Sequence, residues 1–483
     1  MPSQDHSNDP GLPPGAALAR EREEQRRWRV RPGFAQASWF NSLVESEFLS
    51  EEEVRAWQGN TLTDLVDLAA RAVPYYREMF DRLGLRPEDI RDPGDLVRLP
   101  ILPRGEVTRH MDALRLPDDQ TDEPGVICTS SSGSTGDPVQ VVHTQSSMIL
   151  TRLLHQRQLR WFRIDPTATM AWIRIPKDLQ RRDGQPLPPG DTLHASAWPR
   201  IGSFVETGPF VAFSKSNSTE AKVDWLERHR PGYLQAASAQ LEHLALAFQE
   251  RPRLDGLRGL WAAGEPLTPG MRRRIEEVFH VPVHIAYGLD ELGWVAVMCS
   301  EGRYHVHPER AIVEIVDDTG QPCRPGTRGH LLVTLLGNPA MPLLRYDTGD
   351  LAEPVEGRCP CGRTLPVVRA IHGRQEDVIV TPDGRVVTAL YNLWQDVSAV
   401  EFGQVERDGA DHLTAFVVPG PDYGLADERR LAYLLAQSLG PSMRFDIRHI
   451  TRDAIRRTAN GKVRLVIGGV SPLQAAGLGD GNA

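Results

Sequence analysis

Between Leu49 and Leu83 apolar residues recur at helical spacing. Leu62, Leu65, Leu68, Ala69 and Ala72 share one face, and Ser50 with Glu53 forms a capping box at the start. Residues 98 to 104, R-L-P-I-L-P-R, carry two prolines that favour an extended crossing. Val126 to Cys128 and Val139 to Val142 read as strands. Beyond them the pattern alternates. Helices are expected at 146–161, 220–229, 239–250 and 269–279, and strands at 168–175, 233–236, 257–263 and 283–286. That alternation predicts an α/β fold with a largely parallel sheet. From His305 short strands with turns take over (311–316, 329–335, 371–374), predicting a β-rich subdomain. Strands at 400–405 and 413–418 with a helix at 427–439 predict a smaller α+β unit. The expected organisation is a disordered leader over 1–30, a large domain over 31–372 and a small mobile domain over 373–483. The glycine-rich end from Gly468 is expected to fray.

With 483 residues there is room for two or three sizeable cores. Hydrophobic content of 40% and charged content of 25% are those of a soluble globular protein. A net charge of −9 gives no reason to expect nucleic acid or an anionic membrane as partner. No run approaches the roughly 18 apolar residues of a membrane span. The polar N-terminus lacks the apolar core of a secretory signal, and five cysteines make no disulfide framework. A cytoplasmic location is therefore expected.

Chemistry concentrates in five stretches. Ser131, Ser132, Gly133, Ser134, Thr135 and Gly136 join two strands, and such a turn points backbone N–H groups and hydroxyls into one concavity suited to phosphate. A flexible linker is the alternative, and the flanking strands argue against it. A-Y-G-L-D-E (286–291) follows a strand, so Tyr287 offers a flat face and Asp290 and Glu291 offer hard oxygen ligands for Mg²⁺; acidic residues there also suit a helix start. L-L-R-Y-D-T-G-D (343–350) ends in a carboxylate able to accept from a ribose diol, or is an ordinary turn. G-R-Q-E-D (373–377) opens a polar segment, and R-R-T-A-N-G-K-V-R (456–464) sets Lys462 on a glycine turn.

In this order these stretches resemble the adenylate-forming enzymes: acyl-CoA ligases, peptide-synthetase adenylation domains and luciferases. The resemblance runs from about Leu99 to Arg464. A-A-G-E-P-L-T-P (262–269), C-S-E-G-R-Y-H (299–305), A-M-P-L-L-R-Y (340–346), C-P-C-G-R-T-L-P (359–366) and T-P-D-G-R-V-V (381–387) are similar to the phenylacetate-CoA ligase branch, including its capsule-biosynthesis-type relatives. The resemblance implies attack of a carboxylate on the α-phosphorus of ATP, then transfer of the acyl group to a thiol. It implies that Ser131 to Gly136 cradle phosphates, Glu291 holds Mg²⁺, and Tyr287 with Gly288 packs on adenine. Gly264 and Glu265 would line the adenine edge, and Asp350 and Arg374 would fix the ribose. Lys462 would swing in with the small domain about a hinge near Gln375 and Glu376. By themselves Cys299, His305, Cys359 and Cys361 suit either a closed Cys₃His zinc site or four unligated side chains; the branch implies structural zinc. Cys128 and Cys323 are expected to be ordinary buried thiols.

Two positions depart from the family pattern. Asp137 stands where the phosphate loop carries lysine, and Asp290 stands where Y-G-x-x-E has threonine or serine. Asp290 is read either as sharing Mg²⁺ or as pairing with a cationic group of the substrate. The acid pocket is expected from Trp172, Trp198, Tyr233, Ala236, Ala237 and Trp261, which suit an aryl or specialised small acid; the alternative is that these aromatics are core. CoA is the expected acceptor. A carrier-protein thiol, an amine or a degenerate binder without turnover are the alternatives, and a homodimer is one open option for the assembly.

Overall fold

The computed structural model describes residues 36–120, 123, 127–130, 139–174, 179, 187–188, 190–199, 205–215, 217–264, 267, 269–374, 379–382, 386–387, 394, 397, 399–457 and 466–468. The leader, the loop Ser131 to Gly136 with Asp137, Glu265, the hinge at Gln375 and Glu376, Lys462 and the C-terminal end lie outside the described residues.

The helical reading of the N-terminal third holds, with one break. Ser50 caps the helix Glu51–Ala72: its hydroxyl accepts from the Glu53 amide at 3.2 Å and the Glu53 carboxylate accepts from the Ser50 amide at 2.7 Å. Val73 turns extended, Pro74 opens a second helix, Pro74–Leu83, and Gly84 ends it at φ +62°. Leu62, Leu65, Ala69 and Ala72 are buried against Tyr76 and Phe80. The Tyr76 hydroxyl donates to Pro342 O at 2.9 Å and accepts from Leu344 N at 3.0 Å, tying this layer to the segment leading into R-Y-D-T-G-D.

Among the described residues, twenty strands follow. β1 (Ile127–Ser130) and β2 (Gln140–His143) pair antiparallel, Ser130 opposite Gln140, so the hydroxyl-glycine stretch joins two partnered strands. Twelve strands form one sheet: β3 (Met170–Arg174), β4 (Thr192–Ala195), β5 (Phe210–Ser214), β6 (Tyr233–Ala236), β7 (Gly259–Ala262), β8 (Val283–Leu289), β9 (Gly293–Met298), β10 (Tyr304–Val306), β11 (Ala311–Val316), β12 (Gly329–Leu335), β13 (Tyr346–Pro354) and β14 (Val367–Arg374). Their order is β11-β12-β13-β14-β10-β9-β8-β7-β6-β3-β5-β4. β5, β3, β6, β7 and β8 run parallel, and from β8 to β11 every pairing is antiparallel. The expected β-rich subdomain is therefore the antiparallel half of one continuous sheet, and β8 is the seam.

Helices Thr219–His229, Ser238–Phe248 and Pro269–Phe279 cover the parallel half. Their Val223, Trp225, Leu226, Leu241, Leu244, Ile275 and Phe279 bury against β5, β6 and β7. β15 (Ile379–Val380) and β16 (Val386–Val387) form a short ribbon. The C-terminal part is a sheet of β19 (Arg444–His449), β18 (His412–Pro419), β17 (Val400–Arg407) and β20 (Val466–Ile467), with helix Leu425–Leu439 on it. Leu431, Leu435 and Leu439 meet Val405, Leu413, Ala415 and Val417 in a core of its own.

Candidate active site

Strand β8 carries Tyr287 and Gly288 further than expected, and the turn into β9 holds Asp290 and Glu291. Gly288 is required there, because a Cβ would stand 2.3 Å from Gly293 O. Glu291 is 1% exposed. One oxygen, Oε1, accepts from Arg104 Nη1 at 2.8 Å and from the Tyr346 hydroxyl at 3.0 Å. The other, Oε2, is buried with no hydrogen-bond partner. A buried carboxylate oxygen left bare is costly unless something binds it, so the arrangement fits a hard cation. Asp290 is exposed.

The D-T-G-D stretch lies inside β13 as a bulge rather than between strands: pairing with β12 shifts register between His330 and Leu332, with Asp347 opposite Leu332 and Leu351 opposite His330. Gly349 supplies φ +75°. Thr348 donates to Leu331 O at 2.8 Å and accepts from the Asp350 amide at 3.1 Å. These contacts turn the Asp350 side chain toward Tyr287, whose hydroxyl donates to it at 2.6 Å. Burial and the Asp350 charge raise the Tyr287 phenol well above its ordinary value, so it remains a donor. Asp350 stands opposite Arg374 in the β13–β14 ladder. Two hydrogen bonds thus tie Y-G-x-x-E to R-Y-x-T-G-D, motifs far apart in the chain. Gly264, at φ +74°, follows β7. The segment carrying Lys462 begins and ends on β17: Gln404 exchanges two hydrogen bonds with the Arg456 backbone, 2.9 and 3.1 Å, and Val466 pairs with Val405.

Residues 103–337 match the family of AMP-binding enzymes. The phenylacetate-coenzyme A ligase of Thermus thermophilus is 30% identical over 347 residues, covering 70% of this chain and 74% of that protein. The Aromatoleum evansii phenylacetate-coenzyme A ligase is 25% identical over 465 residues, covering 88% and 96%. This chain belongs to the adenylate-forming enzymes, in the phenylacetate-CoA ligase-like branch. It is an AMP-forming ligase. Its fold is also that of a 2-hydroxyisobutyryl-CoA ligase solved in the postadenylation state with 2-HIB-AMP, at TM-score 0.69, 19% identity, 90% of this chain and 93% of that chain.

The ligase brings its four candidate zinc ligands together. The ligand atoms of Cys299, His305, Cys359 and Cys361 lie within 4.8 Å of one another. Cys299 Sγ and Cys359 Sγ are 3.6 Å apart, and Cys361 Sγ is 3.2 Å from His305 Nε2. An edge of about 3.8 Å follows from tetrahedral zinc–sulfur bonds of about 2.3 Å, so the set fits. Hydrogen bonds from Cys299 and His305 pull the Cys361 thiol down, while the bond with Cys361 and burial push Cys299 up. Arg363 bonds the buried Glu47 at 3.1 Å, anchoring the C-P-C-G-R loop to the N-terminal helices. The remaining cysteines correct an expectation: Cys128, on β1, is exposed, and Cys323, in the connection between β11 and β12, is half-buried.

Four of the expected pocket residues meet in one aromatic cluster, Trp172 packing against its edge. Trp198, Tyr233 and Trp261 pack in one buried aromatic cluster. There the Trp198 indole donates to Ala168 O at 3.0 Å and the Tyr233 hydroxyl accepts from Asp165 N at 2.9 Å. That is the core alternative for large aromatics. Ala236 ends β6, Ala237 precedes the next helix, and Trp172 is half-buried with the Arg174 guanidinium 5.1 Å over its ring. Arg104 was missed by the sequence reading. It stands at the end of R-L-P-I-L-P-R, where only the fold brings it to Glu291.

Proposed function

We propose that the ligase activates a small carboxylic acid, aryl or otherwise specialised, as its acyl-adenylate and passes the acyl group to the thiol of CoA. The observation that carries this is the pair of hydrogen bonds, Tyr287 to Asp350 and Tyr346 to Glu291, that assembles the nucleotide motifs at the sheet's seam. Asp350 and Arg374 hold the ribose, Tyr287, Gly288, Gly264 and Glu265 line adenine, and Ser131 to Gly136 cradle the phosphates. Mg²⁺ on Glu291 Oε2 would neutralise phosphate charge when bound. Two anions meet in the first step, so fixed cations and N–H groups lower the barrier. The acid's oxygen forms a bond to the α-phosphorus and pyrophosphate leaves. Lys462 stabilises the developing charge. In the second step the thiol sulfur bonds the acyl carbon and AMP departs.

In this reading residues 31–372 bind ATP and acid, and residues 373–483 form the mobile domain. Cys299, His305, Cys359 and Cys361 hold a structural zinc. No helix among the described residues is long and apolar enough to cross a membrane, in keeping with a cytoplasmic enzyme. Pyrophosphate exchange over a panel of aryl and amino acids, with and without CoA, tests the reading on wild type and Lys462→Ala. Exchange with one acid, lost in the variant, is expected, with CoA-dependent AMP release. No exchange with any acid would overturn adenylation, and exchange without any CoA effect would overturn the choice of acceptor.

A further inference from the structure

Arg310 stands in the turn between β10 and β11, held at both backbone ends. Its amide donates to His307 O at 2.9 Å and its carbonyl accepts from Leu336 N at 2.9 Å. The side chain is fully buried, and its guanidinium reaches two motifs at once. Nε and Nη2 donate to Leu292 O, the carbonyl next after Glu291, at 3.0 and 2.9 Å. Nη1 donates to Ser147 Oγ at 2.7 Å, with longer contacts of 3.4 Å to Ser147 O and Gly337 O. Ser147 lies in the first turn of helix Gln145–Trp161, which β2 enters through the capping residue Thr144. β2 is the strand on which the hydroxyl-glycine stretch returns.

Two features set this side chain apart from a core arginine. The buried guanidiniums of Arg157 and Arg345 pair with carboxylates, Glu309 at 2.7 Å and Glu314 at 3.1 Å. Among the described residues Arg310 pairs with none; its acceptors are carbonyls and one hydroxyl. Burial lowers it to about 10, so it keeps its charge at neutral pH. An ion buried without a counter-ion costs stability, so packing alone gives no reason for arginine here. The second feature is the close fit around it. A Cβ on Gly293 would come 3.1 Å from Thr151 Cγ2, and one on Gly337 would come 2.8 Å from Leu150 Cδ2. Helix Gln145–Trp161 therefore lies directly against both loops that Arg310 grips. Asn338 adds a parallel tie, donating to Val142 O at 2.9 Å. The Glu291 turn, the helix and the loop at Gly337 meet on one planar fork, a shape that lysine lacks.

We propose that Arg310 is a positioning residue for adenylation, locking the Glu291 turn to the helix that leaves the phosphate-binding ribbon. It thereby fixes the Mg²⁺ carboxylate relative to the phosphates of the nucleotide. The assignment rests on the magnesium and phosphate roles proposed above. Arg310, fully buried, acts through Leu292 and Ser147 rather than on ATP itself. Were the turn free to shift, Glu291 would stay buried and charged but out of reach of a cation held by the phosphates.

Isothermal titration of the full chain with α,β-methylene-ATP, in Mg²⁺ and in EDTA, would compare wild type, Arg310→Lys and Ser147→Ala. Wild type is expected to bind the analogue more tightly in Mg²⁺ than in EDTA. Arg310→Lys keeps the charge and loses the fork, and is expected to lose about tenfold of that gain, as when an outer-shell partner is removed. Ser147→Ala removes one anchor and leaves the amide that Thr144 caps at 3.1 Å. It is expected to lose about fivefold, the worth of one hydrogen bond. Affinity in EDTA is expected to stay nearly unchanged in both. An equal loss with and without Mg²⁺ overturns the positioning role, because that is what plain destabilisation would give. Should Arg310→Lys fail to fold, Ser147→Ala carries the test. A wild-type gain that the variants keep in full overturns the role of Arg310 alone. Wild type with no gain from Mg²⁺ overturns the magnesium reading and the role of Arg310 with it.

Discussion

At the scale of single residues, Glu291 is the pivot. Arg104 and Tyr346 engage one of its oxygens and leave the other bare, which fixes the direction in which it can meet a cation. Tyr346→Phe removes one of those anchors. The Mg²⁺ concentration for half-maximal pyrophosphate exchange is expected to rise about tenfold, the usual penalty for losing an outer-shell partner. A fall in rate at saturating Mg²⁺ with no change in that concentration would mean that the tyrosine only packs. The cysteines give a second residue-scale prediction. Purified wild type is expected to contain one equivalent of zinc by elemental analysis, and Cys359→Ser to lose it together with thermal stability. Metal-free wild type with an unchanged melting temperature would overturn the structural-zinc assignment. Glu291 and the cysteines were legible because their neighbours in sequence carry a recognisable chemistry. Arg104 was not, since its carboxylate partner lies 187 residues away and nothing local marks it.

At the scale of elements, the seam strand decides the geometry. β8 pairs parallel with β7 and antiparallel with β9, and its ladder with β9 shifts register between Tyr287 and Gly288. Gly288→Ala would drive a Cβ into Gly293 O, which is backbone and has little room to yield. A destabilisation of about 1–3 kcal/mol, read by denaturant titration, is expected, as for other overpacked positions. An unchanged midpoint would show that the hairpin can open to admit the methyl. Most elements were readable from periodicity because their apolar faces follow it: Tyr233–Ala236, Pro269–Phe279, Ala311–Val316 and Gly329–Leu335 appear with the expected ends. β5, F-V-A-F-S, escaped because a strand buried on both faces has no alternation, and Gly208-Pro209 before it reads as a loop. β13 escaped because D-T-G-D has turn chemistry; in the fold it becomes a bulge that aims Asp350.

At the scale of the whole molecule, periodicity could not reveal that the parallel and antiparallel halves are one sheet. Continuity depends on β8 and β9 meeting across a short turn, a long-range arrangement that no local pattern encodes. The same closure buries groups whose titration then governs global stability. His143 and His284 are each lowered to about 3, chiefly by burial, with Arg310 acting on His143 and Arg272 on His284. The Phe162 ring stacks on His284 at 4.0 Å. A histidine depressed below its unfolded value of about 6.5 binds its proton more readily when the chain is unfolded. Its contribution is complete above about pH 6.5 and is lost as pH falls from there toward 3, at up to about 1.4 kcal/mol per pH unit for each group. Glu47, Glu314 and Asp347, raised mainly by burial, act in the opposite sense in acid, so the wild-type profile is a sum of opposed terms. The difference between wild type and His284→Phe isolates one of them. Denaturant titrations from pH 7.5 to 4.5 are expected to give a stability difference that moves in the variant's favour by roughly one proton's slope below pH 6.5. A difference independent of pH would mean that His284 is already charged in the fold, contrary to its apolar seat under Phe162.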